Sequence, residues 1–277
     1  MGPRKNDRLQ ALAFKPIIHR REYVYSAKLK RKVTVELVYP YKAFKKRKRQ
    51  AVLLMNDGQD FEGLNMQKIL QDFWATGGKP FLFVGVHCGA ERLEEYGTRG
   101  LLDYAQRGKK AEAYQAFVLH ELWPFLAEHF TLKKRNHVCG GFSLGGLSAF
   151  DMALHNATFF TKVGVFSGSF WWRSKALGPT YSDSRDRIAH SKASQMPLGK
   201  KMSFWFQCGT KDETSDRNGN GVIDSIDDTL DLIAILKGKG VKNVHYEEVQ
   251  GGKHNLETWR KEMPKFLTWA FGMADAD

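Results

Sequence analysis

The sequence predicts an α/β protein with a doubly wound, mostly parallel sheet that follows an N-terminal antiparallel hairpin. Six continuous apolar runs are typical of strands buried on both faces of a parallel sheet. Helix-like segments alternate with these runs, as in strand–helix–strand crossovers. Two short β-rich stretches come first and flank a lysine-rich turn, which predicts the hairpin. The predicted sheet strands are residues 51–57, 80–88, 137–142, 162–168, 202–209 and 243–249.

The remaining segments complete this architecture. The hairpin strands are predicted at 22–26 and 33–38, and the helices at 111–130, 144–154, 227–236 and 256–271. Two stretches rich in Gly, Arg, Ser and aromatic residues, 89–110 and 170–200, are predicted to be loops or lid elements over the carboxyl ends of the strands, where such sheets bind ligands. We expect residues 1–277 to form a single domain, with an N-terminal extension at 1–20 and an insertion at 216–227.

The formal charge of +13 is concentrated partly in three basic runs, at 28–32, 45–49 and 133–135. Such runs indicate either an anionic partner or solvated loops. Because no nucleic-acid-binding signature accompanies them, we expect neither a nucleic-acid nor a membrane partner, although a positive field could attract an anionic ester. The oligomeric state is open.

Three cysteines without regular spacing, Cys88, Cys139 and Cys208, argue against a disulfide framework. Each lies in or after an apolar run, so we expect buried free thiols and a reducing compartment. The basic N-terminus is not followed by an apolar signal-peptide core. A cytoplasmic location is therefore expected, with secretion as the alternative if a signal peptide has been removed.

The strongest motif is Gly141-Phe142-Ser143-Leu144-Gly145, which lies between an apolar strand and a helix rich in small residues. A G-x-S-x-G in this context predicts a nucleophile elbow, because the flanking glycines permit a very tight strand-to-helix turn. The turn places Ser143 at a helix N-terminus, where free N–H groups favour developing negative charge. The N–H of Leu144 is the expected first donor of an oxyanion hole.

A serine nucleophile needs a base, and an acid to orient that base. His254 is the predicted base because it lies between the last strand and the last helix. Asp212 is the predicted acid because it follows the strand at 202–209, with Glu213 and Asp216 as alternatives. The loop after the first parallel strand is predicted to supply the second oxyanion donor, the N–H of Gln59.

A twelve-residue segment beside the acid matches a calcium-binding loop. Gly221 takes the sharp-turn position, and Val222 offers its carbonyl oxygen. The oxygen-bearing side chains at the ligand positions belong to Asp216, Asn218, Asn220, Asp224 and Asp227. With Asp at its last position, the loop resembles the dockerin variant. We expect a structural Ca²⁺ that stiffens the loop next to Asp212, and no cofactor for catalysis itself.

With these residues located, the chain resembles the Putative esterase family of α/β-hydrolases over residues 20–272. That family includes esterase D, enterochelin esterases, antigen 85 acyltransferases and feruloyl esterases. The resemblance depends on six blocks in order: LLMNDGQDF, EEYGTRG, GGFSLGGLSAF, VFSGSFWW, CGTKDE and GGKHNLETWRKEMPKFL. The secretion signal and extra N-terminal domain of the two siderophore-esterase types are not visible in it, and the calcium-like insertion is not a general family feature.

The resemblance implies an α/β-hydrolase fold and a serine esterase with Ser143 as nucleophile, His254 as base and Asp212 as acid. It also implies an oxyanion hole from Leu144 and the loop that carries Gln59. Trp171 and Trp172 would line the substrate pocket or pack as a hydrophobic lid. We expect a small-molecule ester as substrate, of siderophore, feruloyl or acetyl-sugar type. The alternatives are an acyltransferase and a non-catalytic ligand-binding protein of the same fold.

Overall fold

The computed structural model describes residues 17–45, 48–199 and 201–273. Within them lies one eight-stranded sheet. Most of the predicted N-terminal extension lies outside the described residues, but residues 17–20 belong to the first strand. The strands are β1 (Ile17–Ser26), β2 (Arg31–Pro40), β3 (Ala51–Asn56), β4 (Phe81–Val86), β5 (His137–Phe142), β6 (Phe160–Phe166), β7 (Ser203–Lys211) and β8 (Asn243–Lys253).

Ten α-helical segments are described. They are α1 (Tyr41–Lys45), α2 (Met66–Ala75), α3 (Arg92–Glu95), α4 (Ala111–Phe117), α5 (Trp123–His129), α6 (Ser143–His155), α7 (Asp183–Asp186), α8 (Ile188–Gln195), α9 (Asp224–Gly238) and α10 (Leu256–Phe271). A π-helical turn, Val118–Leu122, joins α4 to α5, so the periodic segment predicted at 111–130 is continuous but locally widened.

The strand order is β1-β2-β4-β3-β5-β6-β7-β8. The β1–β2 hairpin and the β2–β4 pair are antiparallel, and every pair from β4 to β8 is parallel. This arrangement confirms the predicted fold class. The parallel strands all end at one side of the sheet, which we call the carboxyl edge, and all begin at the opposite side, the amino edge.

Helices cover both faces of the sheet, as a doubly wound fold requires. One apolar core joins the sheet to α4–α6, α8 and α9, and the other joins it to α2 and α10. All residues of β3, β4 and β5 are buried, which explains why they read as continuous apolar runs without alternation. The edge strand β8 has five exposed and five partly buried residues, and none of residues 243–249 is fully buried. The prediction of a strand there is confirmed, but its burial on both faces is wrong.

Three local predictions need correction. Helix α2 was missed, although its buried residues Met66, Leu70, Phe73 and Trp74 recur at helical spacing. The segment 170–200 is not wholly irregular, because it contains α7 and α8. Helix α9 begins at Asp224 rather than Asp227, so the last part of the calcium-like segment is helical.

Cys139 and Cys208 are buried free thiols as predicted, whereas Cys88 is only partly buried. No disulfide joins the described cysteines. None of the helices described for this chain has the length and apolar character needed to cross a membrane.

Candidate active site

The nucleophile elbow has the backbone that its glycines permit. Ser143 is the first residue of α6, directly after β5, and its φ of +52° lies in the left-handed region that L-residues rarely adopt. A Cβ on Gly141 would lie 2.5 Å from the carbonyl carbon and oxygen of Gly145. No side chain fits in that space, so glycine at 141 is a steric requirement of the turn. The half-buried Ser143 hydroxyl lies 3.3 Å from the hydroxyl of Ser169.

The loop after β3 packs directly against the elbow. Asp57 has a φ of +59° and is buried, and its N–H donates to the Tyr96 hydroxyl at 2.9 Å. A Cβ on Gly145 would lie 2.4 Å from Asp57 Oδ2, and one on Gly58 would lie 2.5 Å from the backbone of Gly85. Glycines therefore let three backbone segments meet at this corner of the site.

Arg92 holds the side chain of Asp57. The guanidinium donates from Nε and Nη2 to the two carboxylate oxygens at 2.7 and 2.8 Å, a bidentate pair that fixes both groups. Gln59, the predicted oxyanion donor, lies in a 3₁₀ turn, Gly58–Asp60, and its side-chain amide donates to Asp57 Oδ1. Because the first N–H groups of such a turn have no partner within it, the Gln59 N–H is unengaged by the turn itself.

The structure brings Asp212 and His254 together through the ends of β7 and β8. Lys211 and Lys253 are register partners and the last residues of their strands, so Asp212 and His254 are the first residues after the two paired ends. A Cβ on Gly209 would lie 2.4 Å from the backbone carbonyl of Gly252 and 2.7 Å from Asp212 Oδ1. The missing side chain at 209 thus allows both the strand approach and the position of the carboxylate.

Asp212 is shielded from water. Among the described residues neither of its carboxylate oxygens completes a hydrogen bond, although the Ser167 hydroxyl is close enough to stabilise the charge. Desolvation raises the pKa of Asp212, while the Gly209 backbone, Ser167 and His254 lower it. Because buried polar groups are normally hydrogen-bonded, this carboxylate can still accept a hydrogen bond from a neighbouring donor.

His254 lies between β8 and α10 on a short segment that is fixed at both ends. The Lys253 N–H donates to Thr258 Oγ1 at 2.9 Å, and the Thr258 N–H donates to Asn255 Oδ1 at 3.0 Å, which caps the helix. The imidazole is exposed at its outer side, yet desolvation by the surrounding protein lowers its pKa. The charge of Asp212 raises that pKa and the charge of Arg92 lowers it.

Two residues that sequence reasoning missed connect these parts. The buried Trp259 Nε1–H donates to Ser167 Oγ at 2.9 Å, and its ring stacks on Phe142 at a centroid distance of 5.0 Å. The same ring lies T-shaped to the imidazole of His254, with a centroid distance of 5.2 Å. Ser167 follows β6 with a φ of +48°. Both residues lie at or near the carboxyl end of a strand, which is only a weak signal in the sequence. Their contacts join residues far apart in the chain, so no local motif indicates them.

Trp171 and Trp172 occupy different environments. Trp172 is completely buried, and a Cβ on Gly97 would touch it at 3.0 Å, so it packs in the apolar core. Trp171 is half-buried and lines an open cavity of about 410 Å³ together with Arg173, Leu177 and Glu213. Of the two predicted pocket residues, Trp171 alone faces a space that a ligand can enter.

The calcium-like loop is folded around its oxygen-bearing side chains. The Asp216 carboxylate accepts from the N–H groups of Gly219, Asn220 and Gly221, and the side-chain amides of Asn218 and Asn220 both donate to Asp227 Oδ2.

Two further observations bear on whether this loop fits calcium. Asp224 is engaged by the N–H and the guanidinium of Arg217, and no three His, Cys, Asp or Glu side chains group as metal ligands within residues 17–45, 48–199 and 201–273. The side-chain oxygens of Asn218 and Asn220 accept from the N–H groups of Asn220 and Val222. The oxygen types of the loop are those that a hard cation binds, but they are engaged within the loop itself.

A serine on a strained turn between β5 and α6, at the carboxyl edge of a doubly wound parallel sheet, defines the class of the α/β-hydrolases. A sequence profile of the Putative esterase family matches residues 26–270. The chain belongs to this family and is a carboxylic ester hydrolase.

Solved structures share the fold. The enterobactin esterase of Shigella flexneri, determined in the presence of enterobactin, superposes with a TM-score of 0.70 at 18% identity, covering 91% of this chain and 58% of that one. An IroE-like serine hydrolase from Shewanella oneidensis gives 0.68 at 17% identity, covering 90% and 78%. The siderophore hydrolase EstB of Aspergillus nidulans gives 0.66 at 14% identity, covering 90% and 93%.

Proposed function

We propose that this chain is a serine esterase that forms an acyl-enzyme on Ser143, with His254 as general base and Asp212 as its acid partner. One observation carries the proposal. The strained Ser143 opens α6 at the carboxyl edge, and the register of β7 and β8 sets Asp212 and His254 side by side at that same edge.

The proposed reaction has two steps. His254 takes the hydroxyl proton of Ser143 as the oxygen attacks the ester carbonyl, and the resulting imidazolium gives that proton to the departing alcohol. Water then attacks the acyl-enzyme with His254 again as base, which releases the acid and restores Ser143. Asp212 stabilises the imidazolium through its negative charge. Its lack of another hydrogen-bond partner among the described residues leaves it available for the His254 ring N–H.

Negative charge develops on the carbonyl oxygen in both steps. We propose that the N–H groups of Leu144 and Gln59 bind this oxygen, because one lies at the start of α6 and the other at the start of the turn packed against it. The bidentate Arg92–Asp57 pair holds the loop that carries Gln59 in place. Preorganised donors of this kind need no rearrangement when the charge forms.

The substrate is proposed to be a small-molecule ester of siderophore, feruloyl or acetyl-sugar type. The cavity beside Trp171 supplies an aromatic wall and the guanidinium of Arg173, which lies over the Tyr104 ring at 4.8 Å. The free thiols Cys139 and Cys208 favour a reducing compartment, and we propose the cytoplasm as the location.

A fluorophosphonate probe should label Ser143, because the probe reacts only with a serine that a neighbouring base activates. Peptide mass spectrometry of the labelled protein is expected to find the adduct on the peptide that contains Ser143. The matched control is Ser169→Ala, which removes the adjacent hydroxyl and should leave labelling intact. An adduct on Ser169, or an unlabelled protein that is folded, would contradict the proposal.

We also propose that Ca²⁺ binds the loop 216–227 and stiffens the segment next to Asp212. Calcium at about a hundred times its dissociation constant should stabilise the protein by about 2.7 kcal/mol, which corresponds to a rise in Tm of roughly 5–10 °C. Differential scanning calorimetry in chelator and then in excess calcium measures this rise. The double variant Asp216→Asn/Asp227→Asn should lose it. Equal Tm values in chelator and calcium for the unmodified chain would refute the metal site.

A further inference from the structure

The loops at the amino edge carry lysine and arginine and, among the described residues, no aspartate or glutamate. These loops are 48–50, 76–80, 130–136, 156–159, 196–199 with 201–202, and 239–242. They lead into successive parallel strands, so the topology places them side by side. Their cationic residues, which we call the basic face, are all exposed: Lys48, Arg49, Lys79, Lys133, Lys134, Arg135, Lys201, Lys239 and Lys242.

Two basic runs that are distant in sequence meet on this face. Gln50 forms a bridge to Leu132, with its N–H donating to Thr131 O and its carbonyl accepting from the Lys133 N–H. The run that ends at Arg49 therefore lies beside the run 133–135. Lys162, on β6, is close enough to Lys79 and Lys133 for their charges to help desolvation lower its pKa. The positive charges of the basic face are therefore held close together, and the described amino-edge loops contain no carboxylate to balance them.

The basic face also contains two open clefts. One, of about 450 Å³, is lined by Arg49, Lys133, Lys134 and His129, with Glu128 as its acidic member. The other, of about 460 Å³, lies at the opposite end of the row and is lined by Lys201, Lys239 and Lys242. Each cleft can take a small anionic group beneath a row of amines.

We propose that the basic face docks the protein onto a membrane surface of anionic phospholipid. The face crosses six neighbouring strands, about 24 Å at normal strand spacing. Lysine predominates over arginine, which suits diffuse attraction to headgroups more than bidentate reading of nucleic-acid phosphates and bases. Docking through the amino edge leaves the carboxyl edge, with Ser143 and His254, open to water. This proposal departs from the expectation of no membrane partner that the sequence suggested.

Vesicle co-sedimentation tests the proposal. We expect the unmodified chain to bind phosphatidylcholine vesicles that contain 30% phosphatidylserine at 50 mM NaCl. Pure phosphatidylcholine should not bind it, and 300 mM NaCl should release it. Lys133→Glu/Lys134→Glu/Arg135→Glu should weaken binding by at least about a hundredfold. A second variant, Lys79→Glu/Lys201→Glu, changes the same face outside the loop 130–136 and should also weaken binding. Both should keep normal hydrolysis of a soluble ester, which shows that they fold.

The matched control reverses three charges elsewhere. Lys28, Lys30 and Lys32 are exposed in and after the β1–β2 turn, which the register of β2 with β4 places toward the carboxyl edge. Lys28→Glu/Lys30→Glu/Lys32→Glu should change binding less than about threefold, although it lowers the net charge equally. Equal weakening by both triple variants, or no binding of the unmodified chain to anionic vesicles, would overturn the proposal. Tighter binding to duplex DNA than to vesicles, lost in the same variants, would overturn it in favour of a nucleic-acid surface.

Discussion

Replacement of Ser143 by alanine is expected to lower kcat for a p-nitrophenyl ester about 10⁴- to 10⁶-fold, because covalent catalysis is lost. The remaining rate, from the oxyanion donors and substrate binding, should still exceed that of the reaction in water. The side chain removed is small and only half-buried, so the fold should persist. Steady-state kinetics on purified protein measure the change.

The control for this variant is again Ser169→Ala. The two hydroxyls lie 3.3 Å apart, so a loss that reflects disturbed packing would occur in both variants, whereas loss of the nucleophile occurs in one. Tm values within a few degrees of the unmodified chain would show that both are folded. Near-normal hydrolysis by Ser143→Ala would reject the proposed mechanism entirely.

Asp212→Asn should lower kcat/KM by about 10⁴-fold, since an amide keeps the shape of the acid but neither orients nor stabilises the imidazolium. It should also move the pH profile. Desolvation and Arg92 already hold the pKa of His254 below its usual 6.5, and the Asp212 charge opposes them. The base must be neutral, so activity falls as pH drops through this pKa. Without the carboxylate the pKa decreases further, and the acidic limb of kcat/KM should shift to lower pH.

Glu213→Gln is the matched control for the acid. It alters the next residue, which is also partly buried and which the sequence left as an alternative. Its desolvated carboxyl has a raised pKa, with Asp224 adding to the rise and Ser225 opposing it, and His254 is not among its partners. A small decrease in kcat/KM for Glu213→Gln, together with a large decrease for Asp212→Asn, would support Asp212 as the acid partner of His254. The opposite ranking would transfer the role to Glu213.

The parts of the site that the sequence predicts are those whose position follows from strand order. Ser143, Asp212 and His254 each come directly after a parallel strand, and parallel strands must end at one edge. The strands before Ser143 and Asp212 are also apolar in the sequence. Gly141 could be predicted for the same reason, since the tight turn requires it.

The supporting contacts could not be predicted, because they join residues far apart in the chain without a motif. Arg92 binds Asp57 across 35 positions, and Trp259 donates to Ser167 across 92. Trp172 shows the limit of a family resemblance, since an aromatic pair suggests a pocket but only its neighbour Trp171 is open to a cavity. Which member of such a pair turns inward depends on tertiary packing, here against Gly97.

The base of the proposed triad follows an edge strand of the sheet. β8 has a neighbour on one side only, β7, and most of its residues are at least partly exposed, whereas the strand that leads to Ser143 is enclosed on both faces. The backbone hydrogen bonds of an edge strand open by local fluctuation more readily than those of strands inside the sheet. Heat or mild denaturant should therefore detach the histidine's strand while the serine's remains folded, so that inactivation is at first fully reversible and precedes any collapse of the core.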